Sequence, residues 1–280
     1  MRGNATMNNI TEIVSLEELM YLWLSDKSKT TVNTYRHTIK QFMEFVGKDL
    51  EEIRLEDLVM WRQRLQLTYG EVTVNNKLRH IKSLLSYGYK IGYLEHNFGS
   101  LIKLGKEKNR ISEKILEIED VQLLINGAKM LRDKLLLKLI YVCGLRVSEA
   151  IALQWRDLRR NKLTVFGKGG KTRILLVPDW LVEQLQQLRG GSSFIFVSKN
   201  GNKLHRSMVH TMIKRTAQRM GINPELSSHW LRHSHATHAL EAGCNLRLLQ
   251  QSLGHSNIST TERYLRLNPR EGSSDFMTIQ

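Results

Sequence analysis

The sequence predicts a mainly α-helical protein of two domains, the second of which carries a small antiparallel β-sheet. Three observations carry that prediction. Apolar residues recur at helical spacing up to about residue 105 without any strand pattern, and a highly charged stretch without apolar periodicity follows. After it, one pair of β-rich runs around a glycine-rich turn interrupts an otherwise helical second half. A length of 280 residues suits two domains, and 41% apolar residues with only 3 prolines exclude a disordered or collagen-like chain.

Taken in order, Ser15 to Leu24 is the first helical segment. Thr31, Tyr35, Ile39, Phe42 and Phe45 then form a helical stripe, Leu55 to Leu67 a third helix, and Val74, Leu78, Ile81 and Leu85 a second stripe with spacing i, i+4, i+7, i+11. Beside that stripe Asn75, Arg79, Lys82 and Ser86 make a polar and basic face, which suits a phosphate backbone and a solvated surface equally. These four helices constitute a predicted N-terminal domain, residues 1–104. The segment GKEKNRISEK, residues 105–114, has the composition of an extended linker. Residues 115–268 form the second domain, beginning with helices at Ile118 to Asn126 and Arg132 to Val142. Strands follow at Leu163 to Phe166 and Arg173 to Val177 around Gly167 to Lys171, closed by Pro178, and Phe194 to Val197 suggests one more short strand. In the tail, residues 269–280, Pro269 and Gly272 oppose a helix.

Charge gives the first functional direction. Forty-two Lys and Arg stand against 27 Asp and Glu, a formal net charge of +15 that favours a polyanion, nucleic acid first. No apolar run reaches the ~18 residues of a membrane span, and the N-terminal residues lack the apolar core of a signal peptide, so a cytoplasmic protein without a membrane partner is expected. Cys143 and Cys244 are far apart and outside any CxxC pattern, which excludes a disulfide scaffold and predicts two buried thiols.

Four separated pieces bear on chemistry. Arg146 opens a helix with Glu149 one turn on, which by itself reads as a surface ion pair. The turn GKGGK lacks P-loop spacing, but it puts Lys168 at a tip that can reach a substrate, with Lys171 and Arg173 beside it. Behind Ser227 and Ser228 as N-caps, His229 and Arg232 share one helix face near its N-terminus, where an anion is favoured. Last come His255 and, nine residues later, Tyr264. Zinc is the competing reading, because His229, His233, His235 and His238 crowd one helix and Cys244 follows. No carboxylate or second cysteine completes a zincin or zinc-finger spacing, and no metal or other cofactor is expected.

Together, GLRVSEA, GKGGKTR, HWLRHSHATHAL and LGHSNISTTERY resemble, in the same order and at similar intervals, the motifs of the tyrosine recombinase (phage integrase) family, most closely its Xer-like branch. The resemblance implies a helical core-binding domain followed by a catalytic domain. Residue by residue, it makes Arg146 and Arg232 the catalytic arginines, Lys168 the hairpin lysine, His229 and His255 the motif histidines, and Tyr264 the nucleophile. Glu149 becomes the acid that orients them, and Arg79, Lys82, Lys171 and Arg173 are candidate DNA contacts. The implied partner is duplex DNA bearing specific recombination sites, bound by a homotetramer or heterotetramer.

The chemistry fits. Resealing a DNA strand without ATP requires that the bond energy be kept, which a phosphotyrosine does. A phenol with an ordinary pKa of ~10 needs a base or a strongly positive site, which His229 and the arginines offer. Planar guanidiniums suit the charge gathering on the non-bridging oxygens, and Lys168 suits protonation of the leaving 5′-oxygen. A type IB topoisomerase or telomere resolvase would use a similar set, and a non-catalytic DNA-binding relative remains an alternative.

Overall fold

In the computed structural model, which describes residues 15–107, 111–167, 170–254, 261–262 and 264, Ser15 opens helix α1 (Leu16–Leu24) by accepting a hydrogen bond from the Glu18 backbone at 3.2 Å. Ser28 likewise caps α2 (Lys29–Val46), which ends on Gly47 at φ 62°. Helices α3 (Leu55–Gln66) and α4 (Glu71–Lys90) complete the first of two compact units, Met1–Lys108 and Asn109–Gln280.

The core of the first unit joins Ile39 and Phe42 of α2, Leu58 and Trp61 of α3, and Leu78 and Ile81 of α4. The Phe42 and Trp61 rings meet edge to face, 4.9 Å between centroids. Val74, Leu78, Ile81 and Leu85 are all buried as the spacing predicts, whereas Phe45 is 38% exposed. Two successive steps of three residues, Ile39 to Phe42 to Phe45, each fall about 60° short of a full turn, and this rotates Phe45 off the core face. Asn75 also departs from expectation, since it is buried rather than part of a polar surface. Its amide nitrogen donates to the Gly105 carbonyl and its oxygen accepts from the Gly105 backbone, both at 2.9 Å. Residues 105–107 are thus pinned along α4 instead of running free as a linker, and Glu107 pairs there with Arg79 at 2.7 Å.

The second unit is organised by α6 (Leu131–Cys143), which is apolar nearly all round and carries Leu135, Leu136, Leu137, Leu139 and Ile140 in the core. Before it runs α5 (Ile118–Gly127), and after it come the one-turn α7 (Val147–Ala150) and an antiparallel sheet of β1 (Leu158–Arg159), β2 (Lys162–Phe166) and β3 (Thr172–Leu176) in that order. The hairpin pairs Leu163 with Leu175 and Val165 with Arg173. Leu163, Val165 and Leu175 face inward, while Phe166, Ile174 and Leu176 are exposed. Strand β1 has no counterpart in the sequence reading, because two residues are too short to show a period. Conversely, Phe194 and Val197 form only isolated bridges, to Gln154 and Lys203. Helices α8 (Asp179–Gln186), α9 (Arg206–Arg219), α10 (Ser228–Glu241) and α11 (Leu246–Leu253) follow. Ser227 takes the N-cap position of α10 without a side-chain capping bond. Cys143 is buried, its thiol pushed up to about 12 by burial, but Cys244, in the loop before α11, is only partly buried. Among the described residues no helix is long and apolar enough to cross a membrane. The tail, residues 269–280, lies outside the described residues.

Candidate active site

Helix α6 stops at Gly144, whose φ of 59° a side chain rarely adopts and whose added Cβ would meet His235 at 2.5 Å. Two residues on, Arg146 is in extended backbone at the start of α7, and Glu149 folds back onto it. The carboxylate accepts from the Arg146 backbone N–H and from its Nη1, each at 2.9 Å. Arg173 of β3 then grips Glu149 with both terminal nitrogens, at 3.1 and 2.8 Å, while its Nε donates to the Ser252 carbonyl at 2.7 Å. Glu149 therefore ties the start of α7, the hairpin and the end of α11 into one unit.

Arg232 of α10 joins the same cluster. Its Nη1 donates to the Gly144 carbonyl at 2.5 Å and its Nη2 to the Leu253 carbonyl at 2.6 Å, with Nη1 3.9 Å from Glu149. Carbonyls at the C-terminal ends of α6 and α11 carry partial negative charge, which is how a guanidinium only 4% exposed is held. Burial and the Arg146 charge pull Arg232 down to about 10, opposed by Glu149, so it stays cationic at neutral pH.

Burial pushes the Glu149 carboxyl up, but hydrogen bonds from Arg173 and from the Arg146 backbone, together with the Arg173 charge, bring it down to about 2. A carboxyl lowered from its ordinary 4.5 stabilises the fold fully above about pH 4.5 and loses that contribution as pH falls toward 2. Glu149→Gln should accordingly cost about 3 kcal/mol at pH 7, mostly by stranding buried guanidiniums. Urea unfolding at a series of pH values is the check: the gap to the unaltered protein should narrow below pH 4.5, and a pH-independent gap would contradict the pairing.

His229 is in the first turn of α10, and its imidazole is lowered by crowding around the ring and by the charges of Arg232, Arg206, Arg146 and Lys114. Since the residue is exposed by surface area, the four cations are the firmer cause. Tyr264, with helical backbone like Thr261 and Glu262, is 5% exposed and packs with Ala236, Leu249 and Leu253. It is His233, one turn beyond His229, that meets its hydroxyl: Nδ1 and Oη are 2.7 Å apart. Tyr264 is close enough to Arg232 for its phenol to favour the charged guanidinium.

The structure thus brings together Arg146, Glu149, Arg173, Arg232 and Tyr264. Lys168 and His255 lie outside the described residues. The Arg173 side chain is 12% exposed and both of its terminal nitrogens bond Glu149, whereas Lys171 is exposed. In the first unit Arg79 holds Glu107 and Lys82 donates to the Ile102 carbonyl at 2.5 Å. Sequence reasoning missed Lys114, Arg206 and the contact of His233, although the i, i+4 spacing of His229 and His233 was a visible signal. The helix histidines serve separate partners, His238 bonding the Tyr141 hydroxyl at 2.8 Å. Among the described residues no three His, Cys, Asp or Glu side chains converge.

The model of the phage integrase family matches residues 114–271, more than half of the chain. This chain belongs to the phage integrase family. It is a tyrosine recombinase of the Xer-like type. A tyrosine recombinase of Pseudothermotoga lettingae is 32% identical, covering 87% of this chain and 90% of its own. Tyrosine recombinase XerA of Pyrococcus horikoshii is also 32% identical, over 94% of each. In fold, the chain resembles the lambda integrase tetramer bound to a Holliday junction, with a TM-score of 0.78 and 17% identity over 92% of this chain and 78% of that one. The family is that of site-specific DNA recombinases, and the chain is an enzyme of that class.

Proposed function

We propose that the chain cuts and rejoins DNA at specific recombination sites through a covalent 3′-phosphotyrosyl intermediate formed by Tyr264. The observation that carries this reading is the placement of the Tyr264 hydroxyl beside a histidine-rich helix face and close to Arg232, itself locked to Arg146 through Glu149. Three guanidiniums around one carboxylate leave the cluster strongly cationic, as a phosphodiester and its transition state require. Arg146 and Arg232 stabilise the non-bridging oxygens, Lys168 protonates the leaving 5′-oxygen, and His229 and His255 assist at the phosphate. Side chains supply the positive charge, with neither metal nor cofactor.

The net charge of +15 and the DNA-bound state of the lambda integrase tetramer both support duplex DNA as partner and a tetramer of identical or paralogous chains as the working assembly. Lys171 contacts the backbone near the cleaved bond, and Arg79 and Lys82 do so in the first unit by exchanging their internal partners for phosphate. A cytoplasmic location and a role in chromosome-dimer resolution or in mobile-element integration and excision complete the reading. A duplex nicked next to its target bond loses the short 5′-hydroxyl fragment after cleavage and should trap the protein on DNA. Peptide mapping of the adduct should place the 3′-phosphate on Tyr264. An adduct on another residue, or none on any target-containing duplex, would refute the assignment.

A further inference from the structure

Tyrosine attack requires the phenol proton to go somewhere, and Tyr264, 5% exposed, has little access to water. His233 meets its oxygen. Its Nδ1 is 2.7 Å from Oη, and the rings are tilted by 45° with centroids 5.8 Å apart. A nitrogen at this distance can accept the hydroxyl proton without either side chain moving. Resting on Tyr264 as the nucleophile, we propose that His233, rather than His229, takes the proton from the Tyr264 hydroxyl as that oxygen attacks, and returns it when the strand is rejoined.

The step balances. The Oη–H bond breaks and its proton passes to Nδ1, while an Oη–P bond forms and the P–O5′ bond breaks, the 5′-oxygen taking its proton from Lys168. On rejoining, the 5′-hydroxyl returns its proton to the neutral Lys168 as it attacks phosphorus, the Oη–P bond breaks, and the departing Tyr264 oxygen recovers the proton from Nδ1. Burial first, then the charges of His229, Lys114 and Arg232, lower the His233 imidazole to about 4, which keeps it neutral and its lone pair available. Those groups face it from its own helix, from the turn Ser112–Lys114 and, with Tyr264, from the segment beyond α11. Such an imidazole is a weak base before DNA arrives. A bound phosphodiester brings negative charge to the same cations and so raises the basicity of His233 when the nucleophile is needed. The cationic field thereby ties tyrosine activation to the presence of substrate.

The test compares the unaltered protein with His233→Asn and His233→Gln, whose amides can hold the Tyr264 hydroxyl but cannot accept its proton. Two variants are used so that misfolding of one leaves the other. Single-turnover cleavage of the nicked duplex is measured with tyrosine and with a fluorinated, more acidic tyrosine incorporated at position 264. The variants should bind DNA normally and cleave about 10²–10⁴ times more slowly. The acidic tyrosine should narrow that gap, because a better-ionised phenol depends less on a base. A variant that cleaves within threefold of the unaltered rate overturns the proposal. So does a slow variant whose deficit is unchanged by fluorination, because His233 would then only position the ring. If the unaltered protein forms its adduct elsewhere than Tyr264, the reading of the nucleophile fails instead.

Discussion

Tyr264→Phe should form no covalent adduct on the nicked duplex while binding it within about threefold of the unaltered protein. Only one oxygen is removed. The ring keeps its packing against Ala236, Leu249 and Leu253, and the guanidiniums keep Glu149, so the cationic cluster survives. The change does strip the half-buried His233 Nδ1 of its 2.7 Å partner, which should cost about 1 kcal/mol in urea unfolding. Denaturing gels report the adduct and gel shifts the binding. Adduct of ordinary yield from the Phe variant would eliminate Tyr264 as nucleophile, and lost binding with a normal melt would mean that its hydroxyl serves DNA recognition instead.

Much of the fold was legible because helical periodicity is a local property. The stripe of Val74, Leu78, Ile81 and Leu85 could be assigned to a core without knowing what covers it. What escaped depends on partners distant in the chain. Residues 105–107 read as a linker because nothing local shows that Asn75, 30 residues earlier, holds Gly105 from both sides of its amide. The hairpin shows the same limit. Arg173 is in a run, TRILL, in which apolar residues occupy both faces, so composition favours an outward arginine. The register decides otherwise, pairing Arg173 with buried Val165 and placing it on the face that carries Glu149, which leaves Ile174 and Leu176 exposed. An inward arginine is affordable there only because a buried carboxylate awaits it.

The site divides in the same way. Arg146 and Glu149 were readable as a pair from their i, i+3 spacing, and the structure adds that the pair is the hub of a larger cluster. His229 and Arg232 were readable as one face, and His233 was visible as the next residue on it. Its link to Tyr264, 31 residues away, required the docking of the segment beyond α11. Motif order therefore nominated the candidate groups, while three-dimensional packing set His233 against Tyr264.

Lys168→Ala should slow cleavage of ordinary DNA by about 10²–10⁴, the range for a lost general acid, with binding hardly changed. An alkoxide is a poor leaving group, so the 5′-oxygen must be protonated as the P–O bond breaks. A thiolate leaves without that help. Replacing the bridging 5′-oxygen at the target bond with sulfur should therefore restore cleavage by Lys168→Ala to near the unaltered rate on the same substrate. Arg232→Ala should show no such recovery, because its proposed work is on the non-bridging oxygens and its loss also strands the carbonyls of Gly144 and Leu253. If Lys168 were merely one cation among Lys171 and others near the hairpin, its loss would weaken binding in a salt-dependent way and leave the sulfur substrate equally impaired. Equal impairment of Lys168→Ala on the two substrates, measured as single-turnover rates at saturating protein, would remove this lysine from the reacting set and send the search for the acid to the other cations around His229, with Lys114 and Arg206 first.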